Sequence, residues 1–577
     1  MQEKELTGYP SIDKPWLKYY SEEAINAPLP ECTIYEYLWE NNKEHLDDIA
    51  LIYFGRKITY RELFEEIDKT ARAFASLGLK AGDVCTVVSV SCVNSVVVFY
   101  ALNKIGAVSN YINVIASEEE FQKYIHEADS KCVVTMDLFA EKVIRAVESL
   151  NTEKVIVFSV ADYMPTIKKT LYNIKTKKQI QLEYSGKVIK WRDFIKQSEK
   201  VAQVDISHNC NETKIWAHTG GTTGFPKTVL LTDKAYNAVA MQYMKSMSYE
   251  RGQVFFNIIV PFVVYGMLTC MHMPLCLGLT VVIIPKFEAI EWKKYLNKYR
   301  PNHILGIPSY FSPMLQDGNL DKMNLSYILT FGSGGDGMNA QLEEDINEFL
   351  KKHGSKAILM KGYGMTEVCA SAVTALDYRR SKIGSVGIPL FKNNIRIYNF
   401  EKKCECIYGE VGEVLISSPS LMIGYMNNKE ETNTILITDE QGTRWVRSGD
   451  LGYIDEEGFL FLLGRTKRIM FVGPEGLAYK VFPKQIEDVI ITCPAVSEVC
   501  VVSTYTGEGF APKAYVVLKN GVTATQAITE KLKNLCMELP DYLRPFNYEY
   551  LEELPKTPVG KVDYRALERM AERDAEK

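Results

Sequence analysis

Residues 218–228 read HTGGTTGFPKT, and the identity of this stretch decides the fold. A Walker-type phosphate loop, G-x-x-x-x-G-K-[ST], would run from Gly221 to Thr228 if a glycine stood before the lysine. Pro226 stands there instead. A Walker loop holds phosphate because successive backbone N–H groups form a nest that leads into a helix N-terminus. Proline has no N–H and a fixed φ, so the nest loses a donor where one is needed. Several glycines, the hydroxyls of Thr219, Thr222 and Thr223, and Lys227 remain. Such a loop can wrap a polyphosphate by hydroxyl and backbone bonds, with lysine as a point charge, while its glycines let it change shape. The plainer alternative is a glycine-rich turn between strand and helix. On its own the stretch leaves both open.

Upstream, the chain alternates strand-like and helix-like segments. ITYRELFEEIDKTARAFASLG places Thr59 three residues before Glu62, a capping-box spacing, then sets Leu63, Ile67, Ala71 and Phe74 on one helical face. VCTVVSV (84–90), KCVVTMD (131–137) and KVIVFS (154–159) read as buried strands, and SVVVFYALNKIG as a helix or buried segment. That rhythm predicts an α/β architecture with mostly parallel strands. Past residue 400 the texture turns to short strands and glycine turns, and a compact unit runs from about residue 468 to a charged helical tail, ALERMAERDAEK.

At 577 residues, two or more domains are expected. The composition, 46% hydrophobic and 24% charged, is globular, and a net charge of −5 gives no reason to expect nucleic acid. Thirteen scattered cysteines suit reduced thiols and a cytoplasmic protein better than a disulfide framework. Cys404 and Cys406 read as strand or turn rather than metal ligands, and no secretory signal opens the chain. Residues 254–285 hold no Asp, Glu, Lys or Arg, but prolines and glycines cut them into short pieces, so buried core is expected rather than a membrane span. In ADYMPTIKKTLYNIKTKK, Met164, Ile167, Leu171 and Ile174 fall at helical spacing among lysines. A surface helix with solvated lysines is the preferred reading; weak contact with an anionic membrane surface is the other.

TGGTTGFPK closely resembles the phosphate loop of the adenylate-forming enzymes: acyl-CoA synthetases, peptide-synthetase adenylation domains and firefly luciferases. Further blocks similar to that family's follow in its order: KGYGMTE (361–367), GEVGEVLISSPSLMIGYMNN (409–428), RSGDLGYIDEEGFLFLLGRTKR (447–468) and PKTPVGKVDY (555–564). The resemblance spans roughly residues 33 to 567. It implies a large multi-subdomain adenylation domain (1–466) with mostly parallel sheets and a β-barrel-like part. A small, mobile α+β domain (467–577) would follow, hinged at Lys467.

It also implies a two-step reaction. A carboxylic acid attacks the α-phosphate of ATP, releasing pyrophosphate, and the acyl-adenylate then passes to a thiol of coenzyme A or of a separate carrier protein's phosphopantetheine. By resemblance, Thr219, Gly220, Gly221, Thr222, Thr223, Gly224 and Lys227 hold the outer phosphates. Tyr363 stacks on adenine beside Gly362, Thr366 bonds the α-phosphate, and Glu367 binds Mg²⁺ with Thr219 as a second candidate ligand. GSGGDG (332–337) lines the base through Gly334, Gly335 and Asp336. Asp450 takes the ribose, Arg465 contacts phosphate or ribose, and Lys561 bridges the carboxylate and the α-phosphate, offsetting repulsion between two anions.

Four departures from the family pattern stand out. Gly220 replaces Ser or Thr, Thr228 replaces Gly, Ser448 replaces Thr, and the 470–483 loop is about four residues longer than usual, which leaves the thiol acceptor open. Val263 or Val264 stands where a gate residue is often found. The acyl pocket is expected to draw on Phe262, Val263, Tyr265, Gly306, Met365 and Cys369. No acidic residue in 261–266 could pair an α-amino group, which favours an acyl or aryl acid over an amino acid. Acyl-CoA synthesis on a medium or long chain is the first expectation. Carrier loading comes second, a luciferase-like oxygenase third, and a P-loop ATPase is disfavoured by Pro226.

Overall fold

The computed structural model describes all residues except 1–5, 177–181, 185, 205–207, 220–225, 378, 475–478, 520, 558–561 and 576–577. Two large sheets carry the parallel strands expected from the sequence. The nine-stranded sheet has six parallel central strands, among them Val254–Asn257, His303–Gly306, Thr330–Ser333 and Leu359–Tyr363, with antiparallel strands at its edges. In the eight-stranded sheet, Val84–Val88, Val108–Tyr111, Cys132–Met136 and Lys154–Phe158 run parallel with Thr213–His218. Strand Thr228–Thr232 then turns back antiparallel and Gly424–Tyr425 closes that edge.

Helix Tyr60–Ser76 begins with the expected capping box, and Leu63, Ile67, Ala71 and Phe74 are fully buried. Every residue of helix Val93–Lys104 is buried, which is why its sequence shows no polar face. The charge-free stretch 254–285 is core: strand Val254–Asn257, a π-helix Tyr265–His272, helix Met273–Cys276 and strand Thr280–Ile283. No described helix is long and apolar enough to cross a membrane.

The six-stranded sheet, antiparallel throughout, is the barrel-like part; its longest strand, Arg444–Ile454, pairs with Leu460–Arg465. A single apolar cluster runs from Trp16 to Leu460. Beyond it, a five-stranded sheet between Met470 and Leu551 has its own two clusters. The terminal helix Tyr564–Ala575 is more than the charged tail its composition suggests, since Leu567 and Ala571 are fully buried. Two further expectations are corrected. Met164 precedes helix Thr166–Thr176 and is buried, while Ile167, Leu171 and Ile174 are exposed. Cys404 lies in a two-residue strand, and no cluster of three or more metal-ligating side chains occurs among the described residues.

Candidate active site

The stretch that opened the sequence is a hairpin. His218 ends one strand opposite Thr228, the first residue of the next. Its neck is closed twice: the Thr219 N–H donates to the Lys227 carbonyl, and the Lys227 N–H donates to Thr219 Oγ1, both at 3.0 Å. Lys227 therefore leads into a strand. Both the Walker geometry and the simple strand-to-helix turn are corrected by this pairing. Gly220, Gly221, Thr222, Thr223 and Gly224 lie outside the described residues.

At the base of the neck, Asn110 Oδ1 lies 2.7 Å from His218 Nε2, and Thr228 Oγ1 lies 3.2 Å from His218 Nδ1. Asn110 presents its oxygen here because its amide nitrogen donates to Thr86 Oγ1. That network assigns the ring proton to Nε2 and makes Nδ1 the acceptor of the threonine hydroxyl. Desolvation pushes the His218 ring down to about 3, so it stays neutral. Thr228, a departure from the family pattern, is thus a strut of the loop's base.

Lys227 reaches across to Glu431 on helix Lys429–Ile435, and its Nζ sits 5.0 Å from the centre of the Tyr425 ring. The Tyr425 hydroxyl donates to Glu367 Oε1 at 2.6 Å. Glu367 is buried in a single 3₁₀ turn, Thr366–Val368, just beyond strand Leu359–Tyr363. Burial raises its carboxyl above the usual range, while the Tyr425 hydroxyl and the charges of Arg465 and Lys227 pull it back. The turn is tightly specified. A Cβ on Gly364 would overlap the Ala370 carbonyl, and Cys369 and Ala370 both hold left-handed backbone, at φ 55° and 75°. Such strain costs of order 1–3 kcal/mol per residue and concentrates at functional sites.

Tyr363 leads to the other half of the site. Its hydroxyl donates to Asp450 Oδ2 at 2.6 Å, and Arg465 Nε lies 2.8 Å from Asp450 Oδ1. Asp450 and Arg465 face each other across the antiparallel pair, and Arg465 Nη1 also donates to the Ser448 carbonyl at 3.1 Å. The Ser448 hydroxyl accepts the Asp450 N–H at 3.0 Å, so serine keeps the bond a threonine would make.

Gly306, Gly334 and Gly362 sit at the carboxyl ends of three adjacent parallel strands, where open α/β sheets bind ligands. Tyr265 occupies this end: its hydroxyl donates to the Gly306 carbonyl at 3.2 Å, and a Cβ on Gly334 would stand 3.5 Å from its ring. Gly335, at φ 80°, turns the chain toward exposed Asp336, whose Oδ1 accepts the Gly337 N–H at 2.8 Å. The residues expected around the acyl group divide. Phe262 and Val263 line an apolar cavity with Phe99, Tyr111, Trp216 and Met267. Its volume is about 10 Å³, space for one water. Tyr265 and Gly306 belong to the glycine end, while Met365 and buried Cys369 flank the Glu367 turn.

Lys467 sits between two anchors. The Thr466 hydroxyl donates to the Gly449 carbonyl at 3.0 Å, and Arg468 Nη2 donates to Glu487 Oε1 of the C-terminal unit at 2.6 Å. Lys561 lies outside the described residues, within the segment that the Lys556–Val562 bridge encloses.

Sequence reasoning missed Tyr425 and Glu431 as individuals. Tyr425 stands inside the 409–428 block, but nothing local marks its hydroxyl. Glu431 reads only as the third residue after the Asn428 helix cap.

One family model, AMP-binding enzyme, matches residues 38–426, and another, AMP-binding enzyme C-terminal domain, matches residues 485–561. The chain belongs to the AMP-binding enzyme family. This AMP-binding enzyme is 30% identical over 570 residues to a long-chain-fatty-acid–CoA ligase of Bacillus subtilis, covering 96% of this chain and 97% of the relative. It is 26% identical over 566 residues to a probable 4-coumarate–CoA ligase 2 of Dictyostelium discoideum, covering 94% and 96%. Its fold matches that of the anthranilate CoA ligase AuaEII in complex with anthranoyl-AMP, at a TM-score of 0.81 and 21% identity over 96% of this chain and 100% of that one. The AMP-binding enzyme is thus an adenylate-forming protein of the acyl-CoA synthetase type.

Proposed function

We propose that this AMP-binding enzyme joins a carboxylic acid with an apolar tail to the α-phosphate of ATP, releases pyrophosphate, and passes the acyl group to the thiol of coenzyme A. One observation carries the reading. Lys227, Tyr425, Glu367, Arg465, Asp450 and Tyr363 form one continuous strip from the hairpin neck to the glycine end. Such a strip has the polarity of a nucleoside triphosphate: a cation and loop N–H groups for the outer phosphates, then a carboxylate for a ribose diol, then an aromatic ring for the base.

In this reading Lys227 leaves Glu431 for the outer phosphates, Asp450 and Arg465 orient the ribose, and Tyr363 lies against the base. Mg²⁺ arriving with the nucleotide would be held by Glu367, with Thr219 as a candidate second oxygen, and would neutralise phosphate charge. Glu367 fits that role, being a desolvated carboxylate flanked by positive side chains. Lys561 would bridge the attacking carboxylate and the α-phosphate. The wall of Phe99, Phe262, Val263 and Met267 supports an apolar tail, since an ammonium group there would be desolvated without a partner. The fatty-acid–CoA ligase relative points the same way.

Pyrophosphate release across medium-chain, long-chain and aryl acids and amino acids, with and without coenzyme A, tests the proposal. Saturable release with acyl acids, with AMP as co-product and acyl-CoA forming only when coenzyme A is present, is expected. Release with amino acids alone, or ADP in place of AMP, would overturn it.

A further inference from the structure

Helix Thr166–Thr176 is turned inside out. In a helix packed on a globular body, the apolar stripe faces the core and polar residues face water. Here Ile167, Leu171 and Ile174, spaced four and three apart, share one stripe and are 77%, 62% and 68% exposed. The inner side of the helix is Tyr172, packed on the main core, with half-buried Lys169 and Thr176 beside it. No residue of the helix is buried. Single exposed aliphatic residues are ordinary, but three on one stripe, aimed away from the body, are not.

The helix is pinned in this orientation. Lys168 Nζ donates to the Phe54 carbonyl at 2.6 Å, and Lys169 Nζ donates to the Asp162 carbonyl at 3.3 Å. Its charge is one-sided as well. From Tyr163 to Leu182 the sequence carries Lys168, Lys169, Lys175, Lys177 and Lys178 and no Asp or Glu, although the whole chain is net negative. Exposed Lys168 and Lys175 flank the apolar stripe along one side. Aliphatic side chains in the centre with cations along the edge match the acyl–headgroup boundary of an anionic bilayer. There the stripe leaves water and the ammonium groups stay among the headgroups.

We propose that helix Thr166–Thr176 docks the protein onto anionic lipid surfaces, lying in the interface plane with Ile167, Leu171 and Ile174 inserted. A stripe this short gives reversible binding that needs both the apolar and the basic contributions.

The test is co-sedimentation of the full chain with lipid vesicles, either pure phosphatidylcholine or with about one third phosphatidylglycerol. Binding to the anionic vesicles is expected, together with little binding to neutral ones and weakening as salt rises. Ile167→Asn/Leu171→Asn/Ile174→Asn and, separately, Lys175→Gln/Lys177→Gln/Lys178→Gln should each lower the anionic partition coefficient at least about tenfold. Pyrophosphate exchange by both variants with a short, water-soluble acid should stay at the parent level, showing that they fold. Three results overturn the proposal: parent protein that ignores anionic vesicles, equal binding to both lipids, or variants that bind as the parent does. Self-association of the parent that the triple-asparagine variant abolishes, without vesicle binding, would assign the stripe to a protein contact and overturn it too.

Discussion

Glu431 and Glu367 are both carboxylates near Lys227, yet they do opposite work. Glu431 is partly exposed and forms an ion pair that a polyphosphate would have to displace. Exposed pairs contribute up to about 1 kcal/mol. Glu431→Gln should therefore lower KM for ATP by up to about fivefold and leave kcat little changed; a raised KM would show that Glu431 helps hold the nucleotide. Glu367 is buried, and burial raises its carboxyl above the unfolded value. Its contribution to stability is thus fully present below the unfolded value, about 4.5, and is lost as pH rises through the higher folded value. Glu367→Gln removes that loss. Its Tm should match or exceed the parent's at pH near 7.5, with the gap closing toward pH 5, while adenylate formation falls by at least about 100-fold. A variant less stable than the parent near pH 7.5 would mean that the Tyr425 hydrogen bond outweighs burial. Neither behaviour was legible in the sequence. The 361–367 block names Glu367, but its neighbours Tyr425 and Glu431 are 58 and 64 positions further along the chain and meet it only through the pairing of Gly424–Tyr425 with the hairpin's second strand.

Among elements, those set by local physics were readable and those set by distant packing were not. The capping box at Thr59 and the buried strands at 84–88, 132–136 and 154–158 follow from spacing and β-branched runs. The π-helix Tyr265–His272 does not: its extra residue per turn goes with Gly266, where a Cβ would overlap the Val260 carbonyl, a close approach that periodicity cannot reveal. The hairpin at 218–228 was misjudged for a related reason. Glycines, a proline and a lysine mark a phosphate-type loop, but whether strand or helix follows depends on Thr228–Thr232 finding a partner edge. Once it does, Thr228 acquires a role. Thr228→Ala leaves His218 Nδ1 without its donor, which should cost about 1 kcal/mol of stability and raise KM for ATP severalfold by loosening the loop's neck. Thermal unfolding and ATP titration check both; an unchanged KM would separate the neck from nucleotide binding.

At the scale of the whole molecule, the question is how one active site serves two different reactions. The main apolar cluster ends at Leu460, and the unit from Met470 onward has separate clusters, so the connection between them is short and polar. Thr466 is tied to the first body through Gly449, and Arg468 to the second through Glu487. A rotation of one body on the other must then be absorbed by the backbone at Lys467. Lys561 belongs to the second body, so rotation would carry it away once adenylation is complete. Lys561→Ala should lower adenylate formation by at least about 1,000-fold, while thioester formation from a supplied acyl-adenylate changes little. Equal loss in both assays would place Lys561 outside the adenylation step. Lys467→Pro probes the rotation itself. The 3₁₀ turn Thr466–Arg468 already has φ close to the value proline fixes, so the fold should tolerate the substitution while the large φ change of a hinge becomes impossible. One half-reaction should stay within about twofold of the parent and the other fall by at least tenfold, measured separately as pyrophosphate exchange and as acyl-CoA formation from acyl-adenylate. Parallel loss of both would show that Lys467 supports the structure without hinging it, and retention of both would move the hinge elsewhere.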